Sequence, residues 1–211
     1  MLYYSDNIPL SLPEGFSRYV PKERLLKAER YYQEKDRILC LLSYMLFSDG
    51  IRREYGTDIY SEKYWETDSN GKPYLPGHPG IHFNISHCAK AVFCGISKYP
   101  IGVDVQDTIT DAESLVHLIC TPREQELIKN AEDPDRLLTR LWCLKEAFFK
   151  QSGEGISDKL TDVDLSDVNG VGYRKSGLFF SVFERSDCCF AVCSKEPFSE
   201  PDLHSFQLAL E

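Results

Sequence analysis

Hydrophobic periodicity changes character three times along this chain, and the order of those changes narrows the fold more than any other feature. Over residues 21–47, Leu25, Leu26, Ala28, Tyr32, Ile38, Leu39, Leu42, Met45 and Leu46 recur mainly at spacings of three and four, which predicts one long helix. Pro21 suits its first turn, where a missing N–H costs nothing. Asp49-Gly50 predicts a stop or a kink. Residues 65–80 are rich in Gly, Pro, Asn and Asp and read as loop. Short strands are then expected over 82–87, 91–96 and 101–105, with a turn at 97–100. Thr121-Pro122-Arg123-Glu124 is a capping box that opens a short helix. Asp133-Pro134 opens another helix, running to about Gln151 and stopped near Gly153. Strand patterns return at 178–183 and 189–193. Helix, strands, helices, strands is an α+β order, with a lobe boundary soon after Asp104.

The third strand sharpens this. Ile101, Val103 and Val105 share one face, and Gly102, Asp104 and Gln106 share the other. An aspartate in mid-strand packs poorly, so its presence asks for a chemical reason.

Composition removes several function classes. A chain of 211 residues can bury a useful core without disulfide or metal staples. Its net charge of -9 repels polyanions, so a long nucleic-acid duplex is not an expected partner. The basic run Lys22, Arg24, Lys27, Arg30, Lys35, Arg37 is broken by acidic residues and suits a solvated helix face or a small anion. Eight cysteines form no CxxC pair and sit mostly among apolar neighbours, which points to reduced, buried thiols rather than a zinc centre. Neither a secretory leader nor a membrane-length apolar run is present, so a cytoplasmic protein with no membrane partner is expected.

Chemistry concentrates in three places: Gly71-Lys72-Pro73 with Phe83-Asn84-Ile85-Ser86-His87, then Gly102-Val103-Asp104-Val105-Gln106, then the run from Trp142 through Lys145-Glu146-Ala147 to Lys150. Singly, each has an ordinary explanation. Glu146 and Lys150, four apart on a helix, make a commonplace surface ion pair worth about 0.3–0.5 kcal/mol. Together, in this order, they resemble the signature motifs of the Sfp-type 4'-phosphopantetheinyl transferases. The W-x-x-K-E-A-x-x-K pattern is the most specific of the three.

The resemblance implies a pseudo-dimer of two similar α+β lobes with the active site between them. Residues 1–104 would form an N-terminal, coenzyme A-binding lobe, and residues 105–211 a C-terminal lobe with the metal, the catalytic helix and the carrier-docking surface. It implies transfer of 4'-phosphopantetheine from coenzyme A to a serine of an acyl or peptidyl carrier protein, with Mg²⁺ as cofactor and 3',5'-ADP as the leaving group. Asp104 and Glu146 would hold the cation, which prefers carboxylate, phosphate and water oxygens. Lys150 would lie on the pyrophosphate, and Glu146 is the first choice for the base that takes the serine proton. Lys72, Ser86 and His87 match coenzyme A-contacting positions. Arg24 and Lys27, with Arg37 as a further candidate, match the segment that meets the 3'-phosphate. Residues 110–122 are a candidate carrier contact. A monomer is expected.

One departure bears on the metal. Where the family commonly has glutamate, this chain has Gln106, which offers a carbonyl oxygen but no charge. Weaker magnesium binding with activity retained is the expectation. Two other classes remain open at this point: a coenzyme A or carrier-binding module without catalysis, and a magnesium-dependent phosphohydrolase that uses water as nucleophile.

Overall fold

The computed structural model describes residues 1–56, 65–110, 112–155, 159–198 and 202–206. Its first part comprises β1 (Leu2–Ser5), α1 (Lys22–Ala28), α2 (Glu34–Tyr55), β2 (Glu66–Thr67), β3 (Pro73–Tyr74), β4 (His82–His87), β5 (Val92–Ser97) and β6 (Ile101–Asp107). Three helices follow: α3 (Ala112–Ile119), α4 (Pro122–Lys129) and α5 (Pro134–Ser152). The chain then forms β7 (Tyr173–Lys175), β8 (Leu178–Arg185), β9 (Cys188–Ser194) and β10 (Leu203–Ser205).

Two four-stranded sheets form, ordered β10-β1-β5-β4 and β6-β9-β8-β7. The long helix α2 backs the first, and α5 backs the second. Each helix covers its own apolar core, one around Leu42, Leu46, Phe83 and Ile96, the other around Leu141, Leu144, Phe180 and Ala191. A third core, with Leu2, Phe93, Val103, Phe190 and Val192, joins the sheets face to face. Phe93 and Phe190 meet there edge-on, ring centroids 5.2 Å apart. Burying each such side chain contributes about 1.5–3 kcal/mol. The α+β class and the pair of similar lobes expected from the sequence are both present. β6 is an edge strand of the second sheet, and β10 pairs in parallel with β1 of the first.

Three expectations need correction. The single helix over residues 21–47 is two helices, α1 and α2, because Tyr31 and Tyr32 lie at the surface, with Tyr32 96% exposed, and do not continue the buried stripe. Asp49-Gly50 does not stop α2, which runs on to Tyr55. Gly50 is instead a packing site: a Cβ there would lie 2.7 Å from Ile96 Cδ1 and 2.9 Å from the Tyr3 ring. The stretch 65–80 is not all loop, since β2 and β3 make a small hairpin. Its turn is held by Asp68 Oδ1, which accepts from the amides of Asn70 and Lys72, both at 2.9 Å.

The helix signals around the site are realised. Glu124 N–H donates to Thr121 Oγ1 (3.2 Å) and Thr121 N–H to Glu124 Oε2 (2.8 Å), completing the capping box of α4. Asp133 caps α5 through Arg136 N–H, and Gly153 ends it in the left-handed conformation (φ 78°).

Candidate active site

The period-two face of β6 that carries Gly102 and Asp104 turns toward α5, while Val103 and Val105 enter the core between the sheets. Asp104, fully buried, therefore meets the helix side on. Lys150 Nζ donates to its Oδ1 at 2.6 Å, and Ser86 Oγ from β4 donates to the same oxygen at 2.7 Å. Gln106 Nε2 donates to Oδ2 at 3.0 Å. Lys150 also bonds Ser86 Oγ at 3.2 Å and lies 3.6 Å from Glu146 Oε2, one helical turn away. Asp104, Glu146, Lys150, Ser86 and Gln106, named from three separate sequence patterns, thus form one cluster.

Glu146 is 5% exposed. Burial raises its pKa to about 7, with the Lys150 charge pulling the other way and Asp104 adding to the rise. Burial pulls the Lys150 ammonium down, but Asp104 and Glu146 outweigh it and leave the pKa raised. A cation already stands between two carboxylates here, in the form of the lysine head. Asp104 and Glu146 supply hard, charged oxygens, and rotation of the Gln106 amide would turn a third toward Asp104's outer side. This donor set fits a small divalent cation such as Mg²⁺.

Two further groups extend the site. Lys72, in the turn of the β2–β3 hairpin and part-buried, donates to the Gln151 carbonyl at the C-terminal end of α5, where unpaired carbonyls favour a cation. Burial lowers its pKa. His87 ends β4 at the surface, and partial burial together with the Lys150 charge lowers its pKa.

On the first-sheet side, Glu23, Arg24, Lys27, Tyr44, Trp65, Glu66 and Thr67 enclose a groove of about 460 Å³. The Arg24 guanidinium lies over the Trp65 ring, 4.4 Å from its centroid, and its Nε is buried with no hydrogen-bond partner among the described residues. Burial lowers the Arg24 pKa. Lys27 is exposed at the rim. Arg37 does not line this groove; it is exposed at the start of α2, where its Nε donates to the Tyr31 carbonyl at 2.7 Å.

Sequence reasoning assigned no role to three residues that the structure places. Trp65 walls the groove, stacked on Tyr44 with centroids 5.6 Å apart, but it sits at the edge of a stretch read as loop. Asn84, inside the F-N-x-S-H pattern, accepts from Val103 N–H at 2.9 Å and so ties β4 to β6. Lys145 is fully buried, donating to Glu124 Oε2 (2.6 Å), Ile119 O (2.7 Å) and Leu160 O (2.8 Å), so it holds α3, α4 and α5 together rather than serving the site. Its signal was legible: it falls on the Leu138–Leu141 stripe of an apolar helix face.

No helix among the described residues is long and apolar enough to cross a membrane. The family model of the 4'-phosphopantetheinyl transferase superfamily matches residues 100–199, which carry Asp104, Glu146 and Lys150. The 4'-phosphopantetheinyl transferase Sfp of Bacillus subtilis (strain 168) is 33% identical over 158 residues, covering 73% of this chain and 70% of that protein. A second Bacillus subtilis 4'-phosphopantetheinyl transferase is 31% identical over 141 residues, 65% of this chain and 62% of its own length. The 4'-phosphopantetheinyl transferase HetI of Nostoc sp. is 28% identical over 171 residues, 75% of this chain and 71% of the relative. With Sfp 33% identical and matched over 70% of its length, this chain belongs to the Sfp-type 4'-phosphopantetheinyl transferase superfamily.

Proposed function

We propose that this chain moves the 4'-phosphopantetheine arm of coenzyme A onto a serine of an acyl or peptidyl carrier protein, with Mg²⁺ as cofactor. The observation that carries this reading is the meeting of Asp104, Glu146 and Lys150 beside Ser86, at the junction of β4, β6 and α5.

The reaction joins the serine oxygen to the β-phosphorus of coenzyme A and breaks the anhydride bond to 3',5'-ADP. Asp104 and Glu146, with Gln106 beside them, would hold the Mg²⁺, which when bound neutralises charge on the pyrophosphate. Lys150 brings a second positive charge to that place, kept protonated by its carboxylate neighbours. Glu146, beside Lys150 and within the same cluster as Asp104, is the group that takes the serine proton in this reading. Ser86, His87 and Lys72 contact the coenzyme A phosphates and their neighbours. Arg24 and Lys27 receive the nucleotide end in the groove walled by Trp65, with Arg37 as a further basic group at the start of α2.

In this reading residues 1–104 bind coenzyme A, and residues 105–211 carry the catalytic helix and the carrier-docking surface. The acidic chain cannot attract an acidic carrier through its overall field, so docking relies on local contacts. The segment 110–122 supports this with Leu118, an apolar side chain 68% exposed on α3. A cytoplasmic monomer completes the reading, in keeping with cysteines that are all free thiols.

The test is the intact mass of an apo carrier protein after incubation with this protein, coenzyme A and Mg²⁺. A gain of one phosphopantetheine, lost with Asp104→Ala and with Glu146→Ala, is the expected result. Binding of coenzyme A without consumption would make the chain a binding module. Release of phosphopantetheine without a carrier would make it a hydrolase.

A further inference from the structure

On the far end of β6 from Gly102, another set of donors converges. Cys88 follows β4, Asp107 ends β6, and Cys188 opens β9 directly opposite Asp107 in register. One ligand atom from each lies within 4.8 Å of the others. The two sulfurs are 3.8 Å apart, and Cys188 Sγ is 3.6 Å from Asp107 Oδ1. A tetrahedral zinc centre with Zn–S of about 2.3 Å and Zn–O of about 2.0 Å requires edges of about 3.8 Å between sulfurs and about 3.5 Å from sulfur to oxygen. These two edges match both values, and the third, from Cys88 Sγ to Asp107, lies within 4.8 Å.

The surroundings hold these donors in a binding pose. Ala89 N–H donates to Asp107 Oδ2 at 3.1 Å, which fixes the carboxylate and leaves Oδ1 turned to the sulfurs. The turn from β4 to β5 closes through Cys88 N–H to the Ala91 carbonyl at 2.9 Å. Cys188 is buried, whereas Cys88 and Asp107 are half-exposed, so the centre has one open side for entry and for a water as fourth ligand. The Cys143 thiol is engaged elsewhere, donating to the Cys189 carbonyl inside the second core.

We propose that Cys88, Asp107 and Cys188 form a binding site for a soft divalent cation of the Zn²⁺ class, separate from the Asp104–Glu146 centre. Thiolates select zinc-like ions, while the all-oxygen centre at Asp104 selects Mg²⁺. The bound cation clips the β4–β5 turn of the first sheet to β6 and β9 of the second. Because β4 carries Ser86 and His87, the clip also steadies one wall of the active site.

The test uses the reduced, chelator-treated full chain, titrated with Co²⁺ in excess Mg²⁺ so that the oxygen centre stays filled. Thiolate-to-cobalt charge transfer in the near ultraviolet reports sulfur ligation alone. We expect the band to saturate at one Co²⁺ per chain, to be bleached by Zn²⁺, and to vanish in Cys88→Ser and in Cys188→Ser. Zn²⁺ should also raise the thermal midpoint of the unaltered chain but not of Cys88→Ser, a near-isosteric change at a half-exposed position beside the third core. No band in the unaltered chain, or one that survives Cys88→Ser, overturns the site. So does the loss of two hydrogens by mass on exposure to oxidised glutathione without any cation binding, which would make the pair a redox couple instead.

Discussion

Gly102 and Ala147 are in backbone contact across the junction of β6 and α5: a Cβ at Gly102 would lie 2.0 Å from the Ala147 carbonyl oxygen. It would also lie 2.3 Å from the Gln151 nitrogen. Both atoms belong to the helix backbone, which cannot turn aside as a side chain can. Asp104 is two residues along the strand, and Ala147 is flanked by Glu146. The spacing of strand and helix thus sets the Asp104–Lys150 distance.

Gly102→Ala should therefore lower stability by about 3 kcal/mol or more, at the upper end of overpacking costs. Urea unfolding would measure it. The protein that remains folded should also lose transfer activity, because separating β6 from α5 draws Asp104 away from Lys150. An unchanged midpoint with unchanged activity would mean that this contact does not position the site.

Lys145 makes a different prediction. Its ammonium is fully buried, and so is the Glu124 carboxylate it meets at 2.6 Å. Removing one member strands the other charge, which costs about 3–5 kcal/mol. Lys145→Met should be that destabilised in urea, and adding Glu124→Gln should cost less than the sum of the single changes. Activity per folded molecule should stay close to the original, since Lys145 bonds Ile119, Leu160 and Glu124 rather than the catalytic carboxylates.

The parts of the site legible in the sequence were those fixed by short-range rules. Strand alternation put Asp104 and Gln106 on one face, and helical spacing put Glu146 and Lys150 one turn apart. Thr121 and Glu124 announced their helix because a capping box is complete within four residues. What escaped depends on contacts between distant segments. Gly50 looks like a helix stop until Tyr3 and Ile96, far off in sequence, are seen packed against it. Tyr32 fits the apolar spacing yet faces water, because which face is buried is decided by the sheet and not by the helix. The Trp65–Arg24 stack joins positions about forty residues apart, a distance that no periodicity can bridge.

Glu146 links proton and metal binding. Its pKa is about 7 in the folded chain against the ordinary 4.5, so between those pH values the folded state holds more protons than the unfolded one. Without metal, this group's contribution is fully present below pH 4.5 and is lost as pH rises through about 7, by roughly 3 kcal/mol in all. A cation must displace the same proton. The Mg²⁺ concentration at half-maximal rate should then fall about tenfold per unit from pH 5.5 to 6.5 and level off above 7. Glu146→Gln should flatten the stability profile in that window. A magnesium requirement independent of pH would remove Glu146 from the cation's ligands.

Arg24 and Trp65 should act on coenzyme A rather than on the chemical step. The guanidinium is held over the ring with its Nε buried and unpaired among the described residues, a donor already positioned for an anion. Arg24→Ala should raise KM for coenzyme A by about tenfold to a hundredfold, the loss of one charge-assisted hydrogen bond. The rate at saturation should hardly change. Arg24→Lys should recover little, because a point charge cannot stack on Trp65 as the planar group does. Dephospho-coenzyme A, lacking the 3'-phosphate, should show no further loss with Arg24→Ala; an equal loss with both substrates would place the phosphate elsewhere.

Gln106 gives the most direct test of the cation's ligand set. Its Nε2 donates to Asp104 Oδ2, so glutamate there would remove a donor and set a second negative charge beside the first. At an effective dielectric of about 20, like charges 4 Å apart cost about 4 kcal/mol, and a divalent cation at that distance would gain twice as much from the added charge, before desolvation reduces both. The two effects have opposite signs and can be separated. Without Mg²⁺, Gln106→Glu should unfold at a lower temperature than the original chain. With Mg²⁺, the order should reverse, and half-maximal rate should be reached at a Mg²⁺ concentration about tenfold lower or less. A lower melting temperature with an unchanged magnesium requirement would show that residue 106 touches Asp104 but not the metal, leaving Asp104 and Glu146 as the only carboxylates in the proposed centre.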